Sequence, residues 1–331
     1  MKQNNPLVSI IIPVYNGANF VREAIDSALA QTYENIEIIV VNDGSTDNTE
    51  EILKSYGNKI TFYTKPNGGV SSALNYGIKK MKGKYFSWLS HDDLYAKNKV
   101  TTEVEYLVKH NLLNKKVIPY SDFALIDIKG KPITDVKFNH EYVNQRPELA
   151  LLRGLINGNS LLIPKSAFNT YGGFDTKLKC TQDYEKWFEF TKTYTFVHVP
   201  KVLVKTRYHK GQVSNTSPLV PIEGNKLYLK LVKYYDDTAK KRIDGNVYSY
   251  YAHLAEFLKY SPYDKAYAYC LKKLETLPKE PITKDPYRVQ VAQPQKQLYS
   301  KNKIVKFCQF IHREGFKNTL KRIAKKLKII H

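Results

Sequence analysis

Two adjacent carboxylates, Asp92 and Asp93, close an apolar run, Tyr85-Phe86-Ser87-Trp88-Leu89-Ser90-His91. A strand ending in Asp-Asp puts two oxygen donors at the edge of a sheet. Mg²⁺ and Mn²⁺ take such ligands, above all when a diphosphate completes the shell. The same dipeptide also caps helices, so its company along the chain decides between the two. Asp43 follows a second apolar run, and Pro13-Val14 ends a third. If these runs are neighbouring parallel strands, all three aim polar or turn residues at one rim, where ligands of open α/β sheets sit.

The elements that must hold those residues can be read from periodicity. Val8 to Val14 is β-branched and stopped by proline, as a buried parallel strand is. Tyr15-Asn16-Gly17 makes a turn. Phe20, Val21, Ala24, Ile25, Ala28 and Leu29 recur at helical spacing and give one apolar face. Ile36 to Val41 is a second buried strand, running into the polar turn Asn42-Asp43-Gly44-Ser45-Thr46-Asp47. Glu50 and Glu51 follow where acids favour the helix dipole. Lys59 to Tyr63 reads as a third strand, Val70 to Met81 as a helix and Tyr85 to Ser90 as a fourth strand. Strand and helix in alternation predict an α/β fold with a mostly parallel central sheet covered on both faces.

The turn after the first strand is Pro13-Val14-Tyr15-Asn16-Gly17-Ala18-Asn19, without the G-x-G-x-x-G of a dinucleotide site, and the sequence carries no Walker A loop. A nucleotide would be held here through carboxylates and a metal, without a glycine-rich phosphate cradle.

The motifs resemble glycosyltransferase family 2, an inverting family with the GT-A fold. The matching stretches are V-S-I-I-I-P-V-Y-N (8–16), I-V-V-N-D-G-S-T-D (39–47), N-G-G-V-S-S-A-L-N-Y-G-I (67–78) and F-S-W-L-S-H-D-D (86–93). They continue with G-G-F-D (172–175), T-Q-D-Y-E-K-W (181–187) and R-Y-H-K-G-Q-V-S (207–214). The resemblance implies that Asp43 hydrogen-bonds the base, usually uracil, with Pro13, Val14, Asn16 and Asn67 also at the donor nucleotide. Asp92 would touch the ribose or the metal shell, and Asp93 would bind the metal together with His209. Arg207 would meet the pyrophosphate from a loop over the donor. Asp183 would be the catalytic base, although Gln182 stands where the family usually has Glu. Trp187, Gly172 and Gly173 would lie on the acceptor side. Without the resemblance, Asp183 reads as a helix cap and Asp43 as an Asx-turn.

The activity so implied is metal-dependent (Mn²⁺ or Mg²⁺) transfer of a sugar from a nucleoside diphosphate sugar to an acceptor hydroxyl, by single displacement with inversion. UDP is the expected nucleotide; Asp43 alone is also compatible with TDP or GDP. The expected setting is cell-surface polysaccharide or glycoconjugate synthesis, with a glycan or lipid-linked glycan as acceptor. The alternatives are a degenerate GT-A scaffold serving as a binding subunit, and a sugar nucleotidyltransferase. The first conflicts with the retained Asp43, Asp92, Asp93 and Asp183, and the second lacks its glycine-rich basic loop. A processive synthase would carry membrane helices and Q-x-x-R-W.

Composition adds the rest. A 331-residue chain with 42% hydrophobic residues suits a large domain and a smaller one. No apolar run approaches the ~18 residues of a membrane span, and the first five residues do not read as a signal peptide. Cys180, Cys270 and Cys308 lack metal-type spacing and read as free thiols of a reducing compartment. Domain boundaries are expected at 1–215 for the GT-A domain, 216–300 for a helical accessory region with a Pro-rich connector, and 301–331 for a basic amphipathic helix. The net charge of +21 leans toward the C-terminal third. Phe316, Leu320, Ile323, Leu327 and Ile330 share one helical face among lysines and arginines, which suits an anionic membrane interface. The expected location is cytoplasmic, peripheral on the inner face of the membrane. Nucleic acid is not expected, since no reader motif accompanies the charge.

Overall fold

The computed structural model describes residues 5–209, 212, 216–284 and the backbone of 290–291. These divide into two units. The first takes the described residues of Met1–Pro147 and Ile156–Gln212 with the short strand at 290–291; the second takes those of Glu148–Leu155 and Val213–Arg288.

The first unit holds two sheets. One contains β1 (Val8–Val14), β2 (Ile36–Asn42), β3 (Thr61–Thr64), β4 (Tyr85–Trp88) and a short β8 (Ile163–Pro164), in the order β3-β2-β1-β4-β8. The pairings from β3 to β4 are parallel, and only β4 with β8 is antiparallel. Every residue of β1 is buried, as expected of a strand covered on both faces. Helices α1 (Val21–Leu29), α2 (Thr49–Lys54), α3 (Val70–Lys80) and α4 (Lys99–Lys109) follow the strands in turn. The third strand begins later than its β-branched pattern suggests, because Gly57–Lys59 closes as a 3₁₀ turn.

Helix α4 carries an ion pair with no solvent access. Lys99 Nζ lies 2.8 Å from Glu103 Oε2, and donates to Ser87 Oγ (2.9 Å) and the Leu161 carbonyl (3.3 Å). Burial pushes the Glu103 carboxyl up to about 7 and the Lys99 ammonium down, each partly offset by its partner.

The second sheet was not legible in the sequence. It contains β5 (Leu94–Tyr95), β6 (Val117–Ile126), β7 (Pro132–Lys137), β9 (Thr195–Arg207) and β10 (Gln290–Val291), in the order β10-β7-β6-β9-β5. Long β9 runs parallel to β6, with register shifts around Asp122, and ends with Arg207 opposite Ile126. Short helices α5 (His140–Gln145), α7 (Lys165–Tyr171) and α8 (Gln182–Phe190) complete this unit.

The second unit packs α6 (Leu149–Leu152) with α9 (Val220–Tyr234), α10 (Asp237–Asp244), α11 (Val247–Leu258) and α12 (Asp264–Thr276). Asp236 caps α10 by accepting from Ala239 N (2.8 Å), and Asn246 caps α11 by accepting from Ser249 N (2.6 Å). Leu227, Leu231, Tyr250, Leu254, Leu258 and Cys270 fill the interior. The amphipathic segment 301–331 and Cys308 lie outside the described residues. No helix among the described residues is long and apolar enough to cross a membrane.

Candidate active site

The carboxyl ends of β1 and β2 are stapled together by their turns. Asn16, at φ 48°, donates its N–H to Ser45 Oγ (2.9 Å), and its side-chain oxygen accepts from Thr46 N (2.8 Å). Gly17 N donates to Thr49 Oγ1 (3.0 Å) and Ala18 N to Asp47 Oδ2 (3.0 Å). Gly17 has no room for a side chain, since a Cβ would stand 2.5 Å from Val14 Cγ2 and 2.6 Å from the His91 ring. Pro13 and Val14 are buried, and the Val14 carbonyl accepts from Asp43 N (2.8 Å). Asn67 is exposed. Tyr15, 48% exposed beside Asn16, is a large aromatic on this rim whose role went unread in the sequence. Its only sequence signal is the aromatic position in P-V-Y-N.

Asp43 is buried and turned toward the loop after β3. Its carboxylate accepts from Lys65 Nζ, from Gly68 N (3.1 and 3.2 Å) and from Gly69 N (2.7 Å). A carboxylate offers about four lone-pair sites, and these three donors make two contacts to each oxygen, Gly68 N being shared between them. In this structure Asp43 closes the Lys65–Gly69 loop onto the end of β2.

The two adjacent carboxylates after β4 have opposite fates. Asp93 is 4% exposed. Its Oδ1 accepts from Arg207 N (2.7 Å) and its Oδ2 from Asn159 Nδ2. Burial, then the charge of Asp92, pushes its carboxyl well above the usual range, against the pull of Arg207 and Asn159. Asp92 is more open, with Oδ2 3.0 Å from His209 Nε2. The geometry therefore departs from the expected ligand set. Asp93 has both oxygens engaged inside the protein, and the carboxylate beside the imidazole is Asp92. Asn159 emerges as the brace of this corner. It also accepts from Ser90 N (2.7 Å), so one amide sets the loop at both ends. His91 is mostly sheltered, and burial holds its imidazole below the usual value.

Arg207 corrects a second expectation. It is 0% exposed, and its guanidinium is spent inside the protein. Nε donates to the Asp92 carbonyl (2.9 Å), one terminal nitrogen to the Ile128 carbonyl (2.9 Å) and the other to Glu23 Oε2 (2.9 Å), while the Phe20 ring lies 4.7 Å away. A guanidinium so enclosed does not reach a pyrophosphate. It fastens the end of β9 beneath the Asp92 corner, which brings His209 into place.

Asp183 lies in the first turn of α8, half-buried, with Oδ1 accepting from its neighbour Tyr184 N (2.8 Å). Burial raises its carboxyl to about 6, against the pull of that N–H and its own. Gln182 beside it is buried, and its side-chain oxygen has no hydrogen-bond partner among the described residues. Trp187 is 0% exposed and packs edge-on against Phe174 at 5.8 Å. Such burial removes it from any acceptor surface, a third correction; its role is to anchor α8. Gly172 takes φ 70°. Gly173 admits Asn75, whose amide would stand 2.1 Å from an added Cβ and which pairs with both Phe174 N (2.7 Å) and Phe174 O (2.8 Å).

Among the described residues, no three carboxylate, imidazole or thiol groups converge as a complete metal cage. Asp92 and His209 are the two side chains here that would serve as ligands. That donor set fits a hard divalent cation whose remaining positions are filled by substrate phosphates and water.

The α/β sheet with its donors at the carboxyl edge is the architecture of GT-A glycosyltransferases. Solved relatives by fold include a 1–349 fragment of Staphylococcus aureus TarS in complex with UDP (TM-score 0.56, 17% identity, 76% of this chain and 70% of that one). Another is the Pyrobaculum calidifontis mannosyltransferase PcManGT in complex with GDP-Man and Mn²⁺ (TM-score 0.55, 18% identity, 85% and 78%). The model of glycosyl transferase family 2 matches residues 9–148. An uncharacterized glycosyltransferase of Rickettsia typhi is 49% identical over 276 residues, 82% of this chain and 86% of the relative. Chondroitin synthase of Pasteurella multocida is 32% identical over 213 residues, 63% of this chain and 21% of that protein. The chain belongs to glycosyl transferase family 2 and is a glycosyltransferase.

Proposed function

We propose that this protein transfers a sugar, with inversion, from a nucleoside diphosphate sugar to an acceptor hydroxyl, UDP being the expected nucleotide. The observation that carries the reading is the Asp92–His209 pair at 3.0 Å, fixed at the carboxyl edge by Arg207 and Asn159. Asp92 and His209 would hold a Mn²⁺ or Mg²⁺ ion, which when bound supplies Lewis-acid stabilisation to a departing diphosphate. Pro13, Val14, the Asn16 turn, Asn67 and Asp43 would meet the nucleotide, a base N–H replacing one of the Lys65–Gly69 donors on Asp43, and Tyr15 offers a face for the base to stack on. Asp93 and Arg207 position this corner from within.

Asp183 is the proposed general base. As the acceptor oxygen bonds to the anomeric carbon, its proton passes to an Asp183 carboxylate oxygen. The bond to the diphosphate oxygen breaks with its electron pair. A carboxyl raised to about 6 is mostly ionised at neutral pH yet basic enough to share that proton in the transition state. The relationship to a chondroitin synthase favours a glycan as acceptor; a lipid-linked glycan used at the cytoplasmic face of a membrane is the further reading we carry from the sequence.

Calorimetric titration of UDP, GDP and TDP, with and without Mn²⁺, tests the reading on the wild type and Asp92→Ala. Manganese-dependent binding of one nucleotide, lost in the variant, is expected. Folded wild-type protein that binds none of them would overturn it.

A further inference from the structure

At the amino-terminal ends of the parallel strands, on the edge of the sheet away from Asp43 and Asp92, lies a cavity of about 310 Å³. Four lysines line it: Lys82, Lys84, Lys115 and Lys165, together with Tyr85 and Asn114. No carboxylate is among its lining residues. Glu37, the nearby acid, spends one oxygen on the main-chain N–H groups of Lys82 and Gly83 and on Ser9 Oγ. Four lysines with one nearby acid leave an excess of positive charge around this cavity, which attracts an anion.

The second observation is Tyr85. The residue is 1% exposed. Its hydroxyl oxygen accepts from Asn114 N (3.3 Å), while its O–H finds no acceptor among the described residues. Tyr85 and its partner Asn114 both line the cavity, so this hydroxyl proton is open to an acceptor bound there. Lys165 is fixed in place by donating to the Met81 carbonyl (2.8 Å), which leaves it further N–H groups to offer. The cavity thus presents ammonium and hydroxyl donors, and phosphate oxygens are acceptors only. Lysine serves phosphate as a point charge.

We propose that this cavity binds a phosphate-bearing anion, at a site separate from the donor edge. The phosphate could be that of an anionic lipid headgroup or of a soluble polyanion, and the test distinguishes them. Lysine acetylation of the full chain is followed by mass spectrometry at Lys82, Lys84 and Lys115, with exposed Lys129 as the reference. The probes are tripolyphosphate in solution, phosphatidylglycerol vesicles and phosphatidylcholine vesicles. Protection of the cavity lysines relative to Lys129, about tenfold at a probe concentration about ten times its Kd, is expected with one of the two anionic probes. Protection by phosphatidylglycerol but not phosphatidylcholine assigns a headgroup; protection by tripolyphosphate alone assigns a soluble ligand. No protection, or equal protection of Lys129, overturns the proposal.

Tyr85→Phe, with its melting temperature checked, should raise the probe concentration for half-protection about tenfold, the worth of one hydrogen bond to a charged group. The surface double variant Lys82→Gln/Lys84→Gln should weaken protection of Lys115 by at least as much. Unchanged protection in both variants would also overturn it.

Discussion

His209 Nε2 lies 3.0 Å from Asp92 Oδ2, although 117 positions separate the two residues in the chain. Between them run β5, β6, β7 and β9 of the second sheet and the helix of Asp183. The contact exists because Arg207 fastens the end of β9 to the Asp92 main chain, and His209 is carried two residues past that anchor.

The different surroundings of Asp92 and Asp93 predict different phenotypes. Asp92→Ala should lose manganese-dependent nucleotide binding with little change in melting temperature. Asp93→Ala strips the acceptor from Arg207 N and Asn159 Nδ2 and should cost about 2–4 kcal/mol, because buried donors are orphaned. Denaturant unfolding and calorimetry on both variants separate the effects. Equal stability of the two would remove the positioning role of Asp93.

Asp183→Asn should abolish transfer and leave donor binding intact. It should also stabilise the fold at neutral pH. The folded carboxyl, at about 6, lies above its unfolded value, so the folded state binds the proton more tightly. Stability is therefore greatest below the unfolded value, falls as pH rises toward 6, and stays reduced above it. The amide carries no such penalty, which predicts a gain of about 1–3 kcal/mol at pH 7. The transfer rate of the wild type should rise through pH 6 to a plateau. A variant less stable than wild type at pH 7, or a flat pH profile, counts against the base assignment.

Arg207→Lys should unfold the corner rather than weaken a diphosphate contact. An ammonium cannot span the Asp92 and Ile128 carbonyls and Glu23 at once. A loss of about 2–4 kcal/mol is expected. Any folded protein should keep its discrimination between UDP and UMP; selective loss of UDP binding with full stability would restore the pyrophosphate role.

The Lys99–Glu103 pair is buried without solvent contact, and Glu103 Oε1 has no partner among the described residues. Lys99→Met alone leaves a buried acid unpaired and should cost about 3–5 kcal/mol, whereas Lys99→Met/Glu103→Leu should fall within about 1 kcal/mol of wild type. Chemical denaturation of the three proteins checks this. A double variant as unstable as the single one would mean that the bonds to Ser87 and Leu161 dominate.

Strands β1, β2 and β4 were legible because strands covered on both faces read as unbroken apolar runs, as Val8 to Val14 does; two-residue β8 gave no such run. Helices α1 and α3 were legible from their 3.6-residue period. The second sheet was not, since β6 finds its partner β9 far along the chain and neither has a short-range signal. The types of the site residues were readable, but their orientation was not. Nothing in Asp-Asp says which carboxylate turns inward, and nothing in R-Y-H says that the arginine is enclosed while the histidine is not. Burial decided Trp187 in the same way: a helix that opens beside a candidate base can still send its largest side chain into the core.

The loop holding His209 follows the last residue of β9, and the family match ends at residue 148. A fragment cut at that boundary would keep Asp43, Asp92 and Asp93 yet lose Asn159, Asp183, Arg207 and His209. It would be half a socket, with its charges still in place and nothing to fix their direction. On the roles proposed for Asp183 and His209, the smallest catalytic piece of this protein is longer than its most recognisable piece, and fusions or split reporters should leave everything through Gln212 in one polypeptide.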